Sequence, residues 1–242
     1  MNTYRADLHV HTDASPDGRS PLEELTEAAR AAGLDAVAVA DHDRCTHTPA
    51  AMNGVLLIPA CEISTGAGHI TGLFLERDID FAALGPLPAP EAAVAAIRAA
   101  GGLAVLAHPF HRPDTPEGRF SFDLDGVETA NARACFKVPN ANERSAAFAA
   151  RRGLPQVGGS DAHDAKEVGN AYTELKAEEL TADALRRALA RGDSRAVLIK
   201  NTPRLRKGLS QWTKARRKGG IFRQGKAAAY VLYCAALDLL RR

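Results

Sequence analysis

Short apolar runs alternate with helical patterns through the first 200 residues, and this alternation constrains the fold more than any other feature. The helical patterns cover residues 21–33, 90–102, 141–153 and 181–192. Ser20 can cap the first, Pro21 and Pro90 suit a first helical position, and Gly33 and Gly101 end their helices. Strand, helix, glycine and strand in succession are typical of βα units with a parallel sheet. About seven such units favour a barrel over an open sheet. The predicted strands are 3–10, 35–40, 55–63, 70–75, 103–107, 124–129, 156–158, 171–175 and 196–199.

The character of the chain changes near residue 200. The 242 residues, 45% of them hydrophobic, suffice for one α/β domain with an appendage. Residues 194–242 hold 13 Lys and Arg but a single acid, Asp238, whereas residues 1–193 carry a net charge of −10. We therefore predict a catalytic domain at 1–200 and a basic helical extension at 201–242. The extension reads as a basic helix, a break at Gly219–Gly220, and an apolar helix from about Lys226 to Leu240.

Several function classes find no support in the sequence. Neither GxGxxG nor GxxxxGK[ST] occurs, so no motif indicates a nucleotide cofactor. No apolar run is long enough for a membrane span, and the N-terminus enters a strand pattern directly instead of resembling a signal peptide. The cysteines are far apart and fit reduced thiols of a cytoplasmic protein: Cys45, Cys61, Cys135 and Cys234.

The histidines and several acids follow the ends of successive predicted strands. The set comprises His9, His11, His42, Glu62, His69, His108, Asp161 and His163, with Asp13 and Asp17 close behind the first pair. In a βα barrel the carboxyl ends of the strands share the face that carries the chemistry. Two histidines two residues apart on an extended segment face the same side, so one cation can take both. The two remaining histidines are His47, which we expect in a surface loop, and His111, a candidate for substrate contact.

This donor set predicts a cluster of divalent ions. Imidazole with carboxylate suits Zn, Mn or Fe, with Mg also compatible, and the absence of thiolates argues against a structural zinc site. So many donors exceed what one ion needs, which indicates two or three ions close together. Glu62 is placed to bridge two of them, and Cys61 beside it is expected to pack in the core.

At these residues the sequence resembles the PHP (polymerase and histidinol phosphatase) family. The matching segments are DLHVHTDASPDG, AVADHD, ACEIST, GHITGLF, LAHPF and GGSDAH, in the family's order over about residues 5–175. The resemblance implies a distorted (β/α)7 barrel with a trinuclear metal site, of the small stand-alone phosphoesterase type. The ligands it implies are His9, His11, Asp17, His42, Glu62, His69, His108, Asp161 and His163. Pro16 adds one residue to the family's usual spacing, so Asp17 is the expected ligand and Asp13 its competitor.

The predicted reaction is the hydrolysis of a phosphate ester. The ions would lower the pKa of a bridging water and supply the hydroxide that attacks phosphorus, with Glu62, Asp161 and His163 as catalytic groups. Asp161 or His163 would orient the water or protonate the leaving oxygen. The predicted phosphate ligands are Arg133, Asn131, His111 and Arg112, with Lys137 a weaker choice and Arg133 favoured because guanidinium binds phosphate in bidentate fashion.

The substrate and the role of the basic extension stay open at this stage. The substrate is expected to be a small phosphomonoester, a nucleoside bisphosphate or an oligonucleotide end. Alternative functions are an exonuclease that holds RNA or DNA with the extension, a metal-dependent amidohydrolase and a non-catalytic metal-binding module. The extension itself fits a helical arm packed on the barrel or on a second subunit, a nucleic-acid contact, or a membrane-surface helix. The sequence does not give the oligomeric state.

Overall fold

The computed structural model describes residues 1–240, so Arg241 and Arg242, the end of the predicted extension, lie outside the described residues. The described strands are β1 Asn2–Val10, β2 Ala36–Val39, β3 Ala51–Met52, β4 Val55–Thr65, β5 Gly68–Leu73, β6 Leu103–Ala107, β7 Gly126–Asn131, β8 Gln156–Gly159, β9 Ala171–Ala177 and β10 Ser194–Leu198. The α-helices are α1 Leu22–Ala31, α2 Phe81–Leu84, α3 Pro90–Ala99, α4 Ala141–Arg152, α5 Ala182–Ala190, α6 Arg204–Lys218 and α7 Ile221–Leu239.

Nine of the strands form one curved sheet in the order β10-β9-β1-β2-β4-β5-β6-β7-β8, and β3 pairs only with β4. The two ends of this order approach each other, since the Ser194 hydroxyl on β10 donates to the carbonyl of Gln156 on β8 at 2.9 Å. The sheet is therefore a nearly closed barrel. This confirms the predicted distorted β/α barrel.

The βα pattern predicted a parallel sheet, and the sheet is in fact mixed. β2 is parallel to β1 and β4, and β7 is parallel to β6 and β8. However, β5 is antiparallel to both its neighbours, and β9 is antiparallel to β1 and β10. Gly66 and Ala67 alone connect β4 to β5, and two residues can close a hairpin but cannot carry the crossover that parallel strands need.

The core surrounds strands that are buried on both faces. Along β2, Ala36 and Ala38 pack into one apolar cluster while Val37 and Val39 pack into another. This follows from the alternation of side chains along a strand. A third cluster, which includes Ile97, lies beneath α3 and α4. The sheet is thus rigidly held from both sides, which fixes the positions of its carboxyl ends.

Two local predictions are corrected by the structure. Ser20 does not cap α1: Pro21 occupies the N-cap position, and the Ser20 hydroxyl accepts the backbone N–H of Ala165 at 3.2 Å instead. The last helix begins at Ile221 and not near Lys226, because it follows Gly220 directly.

The basic extension forms a helical hairpin that packs on the barrel. Gly208 of α6 lies so close to α7 that an added Cβ would stand 3.1 Å from the Cα of Val231. Asp238 of α7 accepts the backbone N–H groups of Arg204 and Leu205 at 3.0 and 2.8 Å, and so satisfies the first turn of α6. The predicted helical arm is present and lies on the barrel.

None of the described helices combines the length and the apolar character that a membrane span requires. The four cysteines are unpaired, and Cys61 is buried in the core as expected. His47 is exposed in a loop, with its Nε2 3.2 Å from Asp78 Oδ2.

Candidate metal centre

The nine predicted metal ligands come together at one end of the barrel. Their side chains form one continuous group in which each imidazole has a carboxylate oxygen of Asp17, Glu62 or Asp161 within 4.0 Å. They come from the ends of β1, β2, β6 and β8, from β4 and β5, and from the loop after β1. Because the carboxyl ends of parallel strands meet at one edge, chemistry spread over the sequence is concentrated here.

Glu62 lies at the centre of this group and is fully buried. Its Oε1 is 2.8 Å from His69 Nδ1 and 3.1 Å from His108 Nε2. Its Oε2 is 2.8 Å from His42 Nδ1 and 3.5 Å from His11 Nε2. One carboxylate thus faces imidazoles on both of its oxygens, as a carboxylate that bridges two cations must.

Of the two candidate aspartates, Asp17 lies among the histidines and Asp13 does not. Asp17 is buried, with Oδ1 3.6 Å from His42 Nε2 and 3.5 Å from His163 Nε2. Asp13 is exposed, and its backbone N–H bonds to the Ser20 carbonyl. Gly18 keeps this loop tight, since a Cβ there would lie 1.8 Å from the carbonyl oxygen of Thr12. The inserted Pro16 is therefore absorbed in the loop without displacing Asp17 from the cluster.

The donor geometry fits divalent cations. The ligand atoms fall into compact groups within 4.8 Å of one another, His11–His42–His163, His9–His11–Asp161 and His42–Glu62–His69 among them. The groups share members, so the site is one cluster with room for more than one ion. Glu62 Oε2 and His42 Nδ1 are buried and make no hydrogen bond in the described structure, although they lie 2.8 Å apart. Two buried ligand atoms that converge in this way can bind a common cation.

Electrostatics keep the carboxylates ionised. Burial opposes the charge of Glu62, but His69, His42 and His9 outweigh burial and hold the pKa of this carboxyl well below its usual range. Burial likewise opposes ionisation of Asp161, and His9 together with a hydrogen bond from His11 lowers its pKa. Burial and the nearby His163 and His42 lower the pKa of His11, which leaves its imidazole neutral. Ionised carboxylates and a neutral imidazole are the forms that bind metals.

Glu128 is a functional residue that the sequence reasoning did not assign to the metal site. It is buried, and its Oε1 accepts the Nδ1–H of His9 at 3.0 Å. Its Oε2 accepts the backbone N–H of His108 and the amide of Asn131, both at 2.9 Å. The bond to Nδ1 leaves His9 Nε2 free to bind a cation, as in the carboxylate–histidine pairs of zinc enzymes. Glu128 lies on β7, the strand that follows the one ending at His108, and this position in the sequence could have indicated a role at the site.

The backbone of the site is strained and tightly packed. His108 and Asp161 both have positive φ, at 29° and 53°, where residues with side chains are disfavoured. Such strain is of the order of 1–3 kcal/mol for each residue and persists where packing holds it. Gly159 is required because a Cβ there would lie 2.5 Å from the Cβ of His9 and 2.8 Å from Glu128 Oε1.

A cavity of about 910 Å³ opens above the cluster. The predicted phosphate ligands Asn131, Arg133, His111 and Arg112 all line it, as does Lys137. However, some of these side chains already use their hydrogen-bond donors within the protein. The guanidinium of Arg133 donates from Nε and Nη2 to both oxygens of Glu167, at 2.7 and 2.9 Å, and from Nη1 to Ser210 at 3.2 Å. A bidentate phosphate clamp therefore requires Arg133 to leave Glu167.

Two other predicted phosphate ligands have partners within the site. The amide of Asn131 donates to Glu128 and to Asp161, and its oxygen accepts the backbone N–H of Arg133. His111 donates from Nδ1 to the carbonyl of His108 at 2.7 Å and accepts at Nε2 from Arg112. These contacts make Asn131 a positioning residue for the carboxylates, and its contact with phosphate stays a prediction.

The hairpin of α6 and α7 supplies one wall of the cavity, which the sequence reasoning did not foresee. Lys207, Lys214 and Lys218 of α6 line it, together with Arg223 and Lys226 of α7. Lys214 Nζ lies 3.4 Å from Asp17 Oδ2, so the extension reaches the metal cluster itself. The spacing of these cations along the two helices could have indicated in the sequence that they share one face.

Comparison with known proteins agrees with this geometry. The PHP domain model matches residues 7–82, and the PHP-associated model matches residues 139–194. An uncharacterized protein of Methanocaldococcus jannaschii is 33% identical over 145 residues, which cover 53% of this chain and 82% of that protein.

Solved structures share the fold at lower identity. PsfC from Pseudomonas syringae aligns over 98% of this chain and 100% of its own, with a TM-score of 0.64 and 18% identity. A two-domain protein from Bacteroides vulgatus, containing a predicted PHP-like metal-dependent phosphoesterase, aligns over 81% of this chain with a TM-score of 0.59 and 22% identity. The present chain spans 65% of that protein's length. The two family models together cover every proposed ligand except His108, and the chain belongs to the PHP family.

Proposed function

We propose that this protein is a metal-dependent phosphoesterase that hydrolyses a phosphate ester of a small molecule. The observation that carries the proposal is the position of the cluster around Glu62 at the floor of a cavity whose walls are basic. Two or three ions of Mn, Fe or Zn are the cofactors that this donor set favours, with Mg also compatible. When bound, such ions lower the pKa of water and neutralise phosphate charge.

The residues of the chain would divide the remaining work. Asp161, which accepts a hydrogen bond from Asn131, is placed to orient the attacking water. His163 donates from Nδ1 to the carbonyl of Asp161 at 2.9 Å, which turns Nε2 towards Asp17 and favours a ligand role for this histidine. Glu128 holds His9 in the orientation and tautomer that a ligand needs.

Phosphate binding is assigned to Lys207, Lys137 and Arg133, three cations that line the cavity above the cluster. Lys207 is half-buried, its Nζ lies 5.4 Å from the ring centroid of Phe136, and no carboxylate of the described chain lies within 4.0 Å of it. Burial and the neighbouring Arg133 and Lys137 lower the pKa of Lys207. An anion that binds among these three cations would relieve their repulsion, so Lys207 and Lys137 join Arg133 as proposed phosphate ligands.

The charge of the cavity supports phosphate chemistry over amide hydrolysis. Its only acidic lining residues in the described chain are Asp17, Glu62 and Asp161, all in the metal cluster. A neutral amide gains little from the surrounding cations, whereas a phosphate carries charge in both the ground state and the transition state. The amidohydrolase alternative is therefore the weaker candidate.

The proposal is tested with protein stripped by a chelator and reloaded with Mn²⁺, Fe²⁺, Zn²⁺ or Mg²⁺. We expect p-nitrophenyl phosphate and members of a phosphorylated-metabolite panel to be hydrolysed, and a chelator to abolish this activity. Glu62→Gln should lower kcat/KM at least about a hundredfold, while Glu143→Gln, the same change at an exposed position on α4, should not change it. Folded, metal-loaded protein that releases phosphate from no ester would overturn the proposal.

A further inference from the structure

The cations of the C-terminal hairpin are arranged on two helix faces that look into the cavity. On α6 the lining residues Lys207, Gln211, Lys214, Ala215 and Lys218 follow at intervals of four, three, one and three residues. On α7 the lining residues Arg223, Lys226, Ala227 and Tyr230 follow at intervals of three, one and three. Both spacings keep side chains on one face of a helix. Basic side chains of the extension therefore face the candidate site.

These cations form an inner and an outer tier. Lys207 is the inner one, with its ammonium over Phe136, and it lines the cavity together with Arg133, Lys137 and Asp161. The outer cations, Lys218, Arg223 and Lys226, are exposed around the turn between the helices. An Arg223 guanidinium N–H donates to the carbonyl of Lys218 at 3.4 Å, which places these two residues together.

The outer cations have no acidic partners in the described chain. Arg133 is paired with Glu167 and Lys214 with Asp17, but Lys218, Arg223 and Lys226 have no carboxylate within 4.0 Å among residues 1–240. Three clustered cations at the mouth of a cavity repel one another unless an anion lies between them.

We propose that Lys218, Arg223 and Lys226 form a second anion subsite, and that the substrate is a small molecule with an anionic group in addition to the phosphate that is hydrolysed. This inference rests on the proposed phosphoesterase function and specifies its substrate class. The phosphate to be hydrolysed binds over the metal cluster near Lys207, and the second phosphate or carboxylate binds at the outer tier. The cavity of about 910 Å³ has the size of small-molecule sites.

The location of the cations favours a small molecule over a polymer. A nucleic-acid surface distributes cations over an exposed face that follows the phosphate backbone. Here Lys207, Lys214 and Lys218 on one helix and Arg223 and Lys226 on the other line the same cavity. A compact dianion can reach both tiers at once, and linking two contacts in one ligand raises affinity beyond either contact alone.

The inference is tested with alkanediol bisphosphates of increasing chain length and the corresponding alkyl monophosphates as substrates for the full metal-loaded chain. We expect wild-type kcat/KM to be at least about tenfold higher for one range of bisphosphate lengths than for the monophosphates. In a triple variant with Lys218→Gln, Arg223→Gln and Lys226→Gln, this preference ratio should fall at least about tenfold.

A matched control removes the same total charge outside the cavity. It carries Arg30→Gln, Lys176→Gln and Arg216→Gln, three exposed positions that do not line the cavity. The control should keep the wild-type preference ratio. Calorimetric titration of both variants with the preferred bisphosphate gives a second readout that does not need turnover, and binding should weaken at least about tenfold only in the subsite variant.

The outcomes separate the two proposals. Equal kcat/KM for bisphosphates and monophosphates, with a ratio that the subsite variant does not change, would overturn the second subsite while leaving the phosphoesterase intact. If the protein hydrolyses no ester, the proposed phosphoesterase function is wrong. The subsite would then be judged from the bisphosphate affinities that calorimetry measures for the two variants. The second subsite would also be wrong if the protein bound oligonucleotides more tightly as their length increased and both triple variants weakened this binding equally. The cations of the extension would then act as a diffuse nucleic-acid surface.

Discussion

Glu128→Gln is expected to weaken metal binding although Glu128 is not among the proposed ligands. The carboxylate accepts three hydrogen bonds, one at Oε1 from His9 and two at Oε2 from His108 and Asn131. A glutamine offers one oxygen and one NH₂ group. The oxygen is needed where two donors converge, so the NH₂ group must face Nδ1 of His9.

The consequence is a change of tautomer. Facing an N–H donor, Nδ1 of His9 must become an acceptor, and the ring then carries its proton on Nε2, the atom that points into the cluster. A protonated Nε2 cannot bind a cation. Loss of such an orienting carboxylate costs ten- to hundredfold in metal affinity, or about 1.4–2.8 kcal/mol.

Isothermal titration of chelator-stripped protein with Mn²⁺ measures this effect. Glu143→Gln on α4 is the control because it makes the same chemical change at an exposed position. The far-ultraviolet circular dichroism of both variants should match that of the wild type. Affinity for Mn²⁺ within twofold of wild type in Glu128→Gln, alongside a clear loss in Glu62→Gln, would refute the tautomer argument.

Three further predictions follow from buried contacts, each measured by urea denaturation of the metal-free protein. Gly159→Ala places a Cβ 2.5 Å from that of His9 and should cost about 1–3 kcal/mol, so an unchanged midpoint would contradict the packing argument. Glu167→Gln leaves the buried Arg133 without its anionic partner and should cost up to about 3–5 kcal/mol; a loss below about 1 kcal/mol would show that the guanidinium finds another partner. Burial raises the pKa of Asp7 from 3.8 to about 6, so the folded state binds this proton more tightly, and stability present at low pH is lost as pH rises. Relative to the non-titrating Asp7→Asn, the wild type should lose about 2 kcal/mol between about pH 4 and about pH 6, whereas a constant difference would exclude the shift.

The barrel was predictable because its signals are local. Each of the nine predicted strands has a counterpart, and α3 starts at Pro90 and ends near Gly101, as those two residues predicted. Strand direction was not predictable from composition alone. The antiparallel position of β5 depends on a two-residue hairpin at Gly66–Ala67, which the alternating pattern does not distinguish from a crossover.

The metal ligands were predictable because their residue types are uncommon and their strand ends share a face. The residues that hydrogen-bond to those ligands and orient them were not predictable. Glu128 reads as an ordinary strand residue until the fold places it against His9, 119 positions earlier in the chain. Likewise, the net charge of the extension indicated an anion, but only the packing of α6 on the loop of Asp17 shows which lysines face the site.

In the proposed centre, the strand-end histidines and acids hold one metal cluster bridged by Glu62. Crystals of Mn²⁺-loaded protein, with anomalous difference maps at the manganese edge, test this most directly. We predict at least two anomalous peaks, both within about 2.3 Å of Glu62 carboxylate oxygens, and Asp17 rather than Asp13 in contact with an ion. A single peak, or peaks that leave Glu62 uncoordinated, would contradict the bridging cluster.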